Sequence, residues 1–279
     1  MNNRSCVIVI PFHKGYLSIN ETNCLNSLLK NYSHSYKISF LIPEGVNISD
    51  KLNETINNFR LSINFTHKNS FSTYYNYNVF LTSQKFYELY LNYKFVLIYQ
   101  LDVLSHQNNN LEIFLKLNLD YIGPIIFRVN PDNSHSVILV GGNGGISLRN
   151  VETHYRISKK IFFFNLHKYY KITGYKCTIT SDPFKYIFKK FISRLICIIY
   201  YKKIRFKFIQ EDVFWSCIVP SKFKKYSVSN NQISAQFGFD MLPSYSFKLN
   251  NNKLPLFFHA FQKNNDGFYN TTNFKNILN

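Results

Sequence analysis

Phe95-Val96-Leu97-Ile98-Tyr99-Gln100-Leu101-Asp102 is an apolar run, broken only by Gln100, that ends on a carboxylate. A strand with one wet face would alternate apolar and polar residues. This one does not, so residues 95–101 read as a strand buried on both faces of a sheet, with Asp102 at its carboxyl edge. Working outward, residues 83–91 place Phe86, Leu89 and Tyr90 on one side of a helix that feeds the strand. Residues 111–117 read as the next helix and 120–122 as a short strand. Nearer the start, the β-branched run 7–10 is ended by Pro11. Residues 20–30 then set Cys24, Leu25, Leu28 and Leu29 at helical spacing, and the apolar run 38–42 is stopped by Pro43 and Gly45. Strands alternating with helices predict an α/β fold: a mostly parallel central sheet flanked by helices, in a single domain over residues 1–263, with a polar tail over 264–279. In such sheets ligands bind beyond the carboxyl ends of the strands, which directs attention to the loops after Ile10, Ile42 and Leu101.

The composition supports a folded chain: of 279 residues, 46% are hydrophobic and 18% aromatic, which excludes disorder. Lys and Arg outnumber Asp and Glu by 33 to 15, a net charge of +18 that must attract a polyanion. Nucleic acid, an anionic membrane surface and a diphosphate all qualify. Residues 184–208 interleave Lys and Arg with Phe, Ile and Tyr. They read either as a membrane-facing basic element or as a solvated helix whose long stems cover core. The five cysteines, Cys6, Cys24, Cys177, Cys197 and Cys217, lack metal or disulfide spacing and are expected to be reduced, buried thiols. The first apolar run is too short for a secretory signal, and no stretch approaches the roughly 20 apolar residues of a membrane span. The expected location is cytoplasmic, including the inner face of the cell membrane.

Four blocks carry polar chemistry. Asp102 lies where a carboxylate can hold a divalent cation against a departing diphosphate, or can simply cap the next turn. Gly141-Gly142-Asn143-Gly144-Gly145 lets backbone approach a ligand closely, or makes a tight turn between strands; it matches neither a Walker loop nor a GxGxxG fingerprint. In Gln210-Glu211-Asp212-Val213-Phe214-Trp215 a carboxylate can take a proton from an attacking hydroxyl, or the acids can stabilise a helix N-terminus. His259, between Phe258 and Ala260, is a core histidine or a metal ligand. The absence of HExxH spacing leaves a zinc hydrolase unsupported.

In order and spacing, several blocks together resemble a family of bacterial and fungal GT-A-fold glycosyltransferases long catalogued as a domain of unknown function. They are Val9-Ile10-Pro11-Phe12-His13-Lys14, Pro43-Glu44-Gly45, Phe71-Ser72 with Tyr77-Asn78, Tyr99-Gln100-Leu101-Asp102, Asp120-Tyr121-Ile122-Gly123, Gly142-Asn143-Gly144-Gly145-Ile146-Ser147-Leu148-Arg149, Glu211-Asp212-Val213-Phe214-Trp215-Ser216 and His259-Ala260-Phe261. The Glu-Asp-Val block is also similar to that of fringe-like and core-1 galactosyltransferases, which invert the anomeric centre. The resemblance implies that Pro11, His13, Glu44 and Asn78 surround the nucleoside and that Asp102 and His259 bind Mn2+ or Mg2+. It also implies that Asp212 is the general base, with Glu211 beside it. Gln100 stands where the usual Asp-x-Asp signature has its first acid, a position that faces the ribose. Asn143, Gly144 and Gly145 are expected to position the sugar. The expected reaction moves a hexose from a nucleotide sugar, by family habit a UDP sugar, to a glycan acceptor that is free or lipid-linked, as in lipopolysaccharide or capsule synthesis. The alternatives are a retaining transferase or a nucleotidyltransferase on the same sheet and, from another class, a non-catalytic basic protein that binds nucleic acid. The acidic blocks argue against that last class, so no nucleic-acid partner is expected.

Overall fold

A computed structural model describes residues 4–106, 110–129, 135–137, 142–160, 210–263 and 267–270. The chain opens with β1 (Arg4–Pro11), α1 (Ile19–Tyr32), β2 (Lys37–Pro43), α2 (Asp50–Asn58) and β3 (Ser62–Thr66). Next come α3 (Tyr74–Leu81), α4 (Gln84–Glu88), β4 (Tyr93–Tyr99), β5 (Val103–Ser105), α5 (Leu111–Lys116), β6 (Tyr121–Ile122), β7 (Phe127–Val129) and β8 (His135–Val137). β9 (Ile146–Asn150) and α6 (Val151–Ser158) precede the helical stretch 211–222, whose middle turn, Phe214–Ile218, is π-helical. Further on, β10 (Gly238–Phe239) and β11 (Phe257–His259) flank the helix Pro243–Leu249.

The main sheet has the order β3-β2-β1-β4-β9-β6. Its first four strands are parallel, while β9 runs antiparallel to both β4 and β6. This is the expected mixed α/β architecture, with a mainly parallel central sheet between helices. The unbroken apolar runs have the predicted cause. In β1, Ile8 and Ile10 join a core containing Leu25, Leu28 and Leu29 of α1, whereas Val7 and Val9 join the opposite core with Tyr87, Tyr90 and Trp215. β4 divides in the same way, Phe95, Leu97 and Tyr99 to one face and Val96 and Ile98 to the other. A small second sheet, β10-β11-β5, lies beyond the end of β4.

Several boundaries differ from the sequence reading, three of them with a local cause. The helix expected over 83–91 is only α4, started by the Ser83 hydroxyl accepting from the Phe86 amide at 3.3 Å. Tyr87, not Leu89, is buried, and Leu89 is 42% exposed. α1 begins earlier than residue 20, because Ser18 and Glu21 form a reciprocal capping box. The strand expected over 95–101 ends at Tyr99, where the Gln100 carbonyl accepts from the Val103 amide at 3.0 Å and turns the chain. That turn presents Asp102. Cys6, Cys24 and Cys217 are free and buried, as expected, and burial raises all three thiols, Cys217 to about 11. Among the described residues no helix is long and apolar enough to cross a membrane. Residues 184–208, Cys177, Cys197 and Gly141 lie outside the described residues.

Candidate active site

Strand order reverses between β1 and β4, which are neighbours in the sheet but not in sequence. In doubly wound sheets the crevice at this reversal is where ligands sit. The parallel strands β2, β1 and β4 bring three loops to one edge: Glu44 after β2, Pro11 and His13 at and after the end of β1, and Gln100 and Asp102 after β4. Glu44 and His13 are exposed and Pro11 is half-buried. The loops after β1 and β2 touch through backbone. The Ser49 amide donates to the Gly15 carbonyl at 2.8 Å, and a Cβ on Gly15 would lie 1.9 Å from the Asn47 carbonyl oxygen. Gln100 donates its side-chain amide to the Tyr77 hydroxyl at 2.7 Å.

The second sheet brings a histidine to Asp102. β11 pairs antiparallel with β5, matching His259 to Val103. His259 Nε2 is 3.4 Å from Asp102 Oδ1; both atoms are buried and neither has a hydrogen-bond partner. On its other side, His259 Nδ1 is 3.0 Å from Asp240 Oδ1. Burial opposes protonation of this ring, but the two flanking carboxylates outweigh it and raise His259 to about 10. Burial likewise works against the charge of Asp102, and His259 and Lys263 overcome it, holding the carboxyl below its ordinary range. Lys263 Nζ lies 3.0 Å from Asp102 Oδ2. It gets there through a turn at Ala260, whose φ of 49° is left-handed and whose amide donates to the Asp102 carbonyl at 3.0 Å.

The glycine block and the two acids form the other wall. A Cβ on Gly145 would stand 2.1 Å from His259 Nε2, and one on Gly144 would stand 2.1 Å from Glu211 Oε1, so only glycine admits these approaches. The Gly144 amide donates to Asp212 Oδ2 at 3.3 Å, and the Asn143 side-chain oxygen accepts from the Gly145 amide at 2.8 Å. Asp212 is half-buried, and its carboxyl is raised to about 7 by burial and then by the charge of Glu211. Glu211 is turned inward instead. Arg149 Nη2 lies 2.9 Å from each of its carboxylate oxygens, and both side chains are almost wholly buried. Arg149 also contacts Ser147 and Tyr87, and its guanidinium lies over the Tyr121 ring.

The structure therefore gathers Gln100, Asp102, Asn143, Gly144, Gly145, Asp212 and His259 around one edge, with Pro11, His13 and Glu44 on the neighbouring loops. Asn78, for which the resemblance implies a nucleoside contact, is 2% exposed. Its side-chain oxygen accepts from the Glu211 amide at 2.7 Å and its nitrogen donates to the Tyr74 carbonyl at 2.7 Å, so it anchors the acidic turn from within. Two participants escape the sequence reading. Lys263 sits in a polar stretch with no motif, and Asp240 meets His259 only through the pairing of β10 with β11.

A family model described as "Protein of unknown function (DUF5672)" matches residues 60–259, and the chain belongs to that family. No curated protein matches it. Among solved structures it is similar to the mannosyltransferase Ktr4p from S. cerevisiae, at 16% identity over 46% of this chain and 41% of that one, with a TM-score of 0.35. The same enzyme in complex with GDP matches at 15% identity over 46% and 42%, with a TM-score of 0.34. The chain thus spans about two fifths of the length of that enzyme. Mouse xyloside xylosyltransferase 1, in its apo form, matches at 12% identity over 92% of this chain and 97% of that one, with a TM-score of 0.47. At these scores the functional reading rests on the site's own geometry.

Proposed function

We propose that this edge is the active site of a glycosyltransferase that moves a hexose from a nucleoside-diphosphate sugar to a hydroxyl of a glycan acceptor, with inversion. One observation carries the reading: Asp102 Oδ1 and His259 Nε2, both buried and neither hydrogen-bonded, form an ion pair at 3.4 Å beside a carboxyl raised to about 7. Their ion pair leaves the hydrogen-bonding capacity of both buried atoms unmet, and a cation bonded to both would meet it. Their separation lets both touch one hard divalent cation at the usual distances of about 2.0–2.6 Å. Among the described residues no third His, Cys, Asp or Glu joins them, so these two side chains are the ones that would hold such an ion.

Asp102 and His259 would hold Mn2+ or Mg2+, which supplies neutralisation of the charge that develops on the leaving diphosphate. The protein's own groups do the rest. Asp212, as carboxylate, takes the proton of the acceptor hydroxyl while that oxygen bonds to the anomeric carbon. The bond from that carbon to the diphosphate oxygen breaks, and the nucleoside diphosphate leaves with the electron pair. Gly144, held on Asp212, and Gly145, packed on His259, keep the base and the cation ligand in a fixed relation across the sugar. Gln100 turns its amide oxygen to Gly145 while its nitrogen is held by Tyr77. Glu211 serves as the inward anchor of the acidic turn, leaving Asp212 as the only one of the pair directed at chemistry.

The test is a thermal-shift panel of UDP, GDP, CMP and ADP, each with and without manganese, on the wild type and Asp102→Ala. A manganese-dependent rise in melting temperature with one diphosphate, lost in the variant, is expected and identifies the donor base. No response to any nucleotide sinks the reading. Release of pyrophosphate from a sugar phosphate and a nucleoside triphosphate would indicate nucleotidyl transfer instead.

A further inference from the structure

The site contains a buried carboxylate that the reaction itself does not use. Asp240 is 5% exposed and follows β10, whose parallel pairing with β11 matches Phe239 to Phe258 and so brings Asp240 level with His259. Its Oδ1 lies 3.0 Å from His259 Nδ1, and its Oδ2 accepts from Asn143 Nδ2 at 2.9 Å. Asn143 passes the contact on, because its Oδ1 accepts from the Gly145 amide at 2.8 Å.

An ionised carboxylate can only accept hydrogen bonds, and this dictates what its neighbours present. His259 must therefore carry a proton on Nδ1, which fixes the ring with Nε2 facing Asp102. Asn143 must turn its NH2 toward Asp240, so its oxygen is the end that faces Gly145 and the amide has no alternative flip. We propose that Asp240 is the positioning residue of this site, fixing the cation ligand with one oxygen and the glycine loop with the other. The inference rests on the cation reading above for its functional consequence. The positioning itself is a property of the folded chain. Carboxylates that orient a ligating imidazole typically control metal affinity by about 10- to 100-fold.

The test compares full-length wild type with Asp240→Asn and with the reciprocal exchange Asn143→Asp/Asp240→Asn. The single variant sets one amide NH2 against a donor. In the reciprocal exchange, the carboxylate now at position 143 accepts from both the Gly145 amide and the amide now at position 240. That amide still offers its oxygen to His259, so every link has a partner again.

Two quantities are read: manganese binding with UDP, by loss of the free-ion electron paramagnetic resonance signal, and hydrogen exchange of the Gly145 amide without any ligand. Asp240→Asn is expected to weaken manganese binding by about 10- to 100-fold and to accelerate Gly145 exchange. The double variant is expected to restore slow Gly145 exchange and to recover part of the affinity. A merely structural role lowers the melting temperature but leaves both quantities unchanged in the folded protein, and that result overturns the proposal. If the wild type binds no manganese with UDP but Gly145 exchange still follows the expected pattern, the cation reading fails and the positioning stands.

Discussion

Asp212 has a carboxyl raised to about 7 by burial and by Glu211 beside it, which sets the direction of its pH dependence. Below that value it is protonated and cannot accept the acceptor's proton, so kcat/KM is expected to fall on the acid side with an apparent pKa of about 7. Stability moves the other way. The folded-state value lies above the ordinary carboxyl value of 3.8, so the contribution of Asp212 is full at low pH and is lost as pH rises through about 7. The active form is then the less stable one. Asp212→Asn should lower kcat by about 100- to 10,000-fold and abolish the acid limb, as initial rates between about pH 5.5 and 9 would reveal. Glu211, one residue earlier, is held inward by Arg149 and reaches the chemistry only through its charge on Asp212. Removing one partner of a buried ion pair leaves an uncompensated charge, so Arg149→Met is expected to cost about 3–5 kcal/mol in urea unfolding. Arg149→Met/Glu211→Leu should cost less, because no charge is left behind. The acids at 211 and 212 were visible in the sequence, but their division of labour was not. It depends on Arg149 arriving from β9 beneath the turn.

The glycine block is the element on which cation ligand, base and sugar position converge, and Gly144 and Gly145 leave no room for a side chain. Gly145→Ala would drive a methyl group to 2.1 Å from His259 Nε2 and 2.8 Å from Gln100 Oε1. Relief requires His259 to move, so the variant is expected to lose the manganese-dependent thermal shift while destabilisation stays within the about 1–3 kcal/mol of ordinary overpacking. Retention of that shift at wild-type manganese concentrations would separate the loop from the cation site. The elements that were legible share one property: β1, β2 and β4 are buried on both faces, so their apolar runs stand out without reference to anything distant. α4 was misjudged because helical spacing alone could not say that Tyr87 packs inward beside His154 and Trp215 while Leu89 stays outside. β3 was missed because an edge strand needs little burial; it includes half-buried residues and the exposed Phe65. Asp102 and His259 could be found at the ends of apolar runs. Asp240 could not, since only the register of two short strands makes it a neighbour of His259.

At the scale of the whole molecule, charge is unevenly distributed along the chain. Four of the 15 acids, Asp102, Glu211, Asp212 and Asp240, line or underlie one edge of a protein whose net charge is +18. The cations are uneven too: residues 161–209 hold eleven of the 33 Lys and Arg against a single acid, Asp182. That stretch lies outside the described residues, so its role is argued from sequence and electrostatics. Each Lys or Arg close to an anionic leaflet contributes on the order of 1 kcal/mol, and the attraction decays over a Debye length of about 10 Å at 0.1 M salt. The eight Lys and Arg of residues 184–208, if brought to the leaflet, would suffice for reversible attachment, and attachment would bring the site to a lipid-linked acceptor. The chain is therefore expected to sediment with vesicles containing about a third phosphatidylglycerol at low salt. It should release as salt rises toward about 0.5 M and ignore vesicles of phosphatidylcholine alone. Replacing Lys185, Lys189, Lys190, Lys202, Lys203 and Lys207 by glutamine should remove most of the binding and leave the nucleotide-induced thermal shift intact. If these six replacements leave sedimentation unchanged, the stretch is not the anchor; if they abolish the nucleotide response as well, its cations belong to the active site.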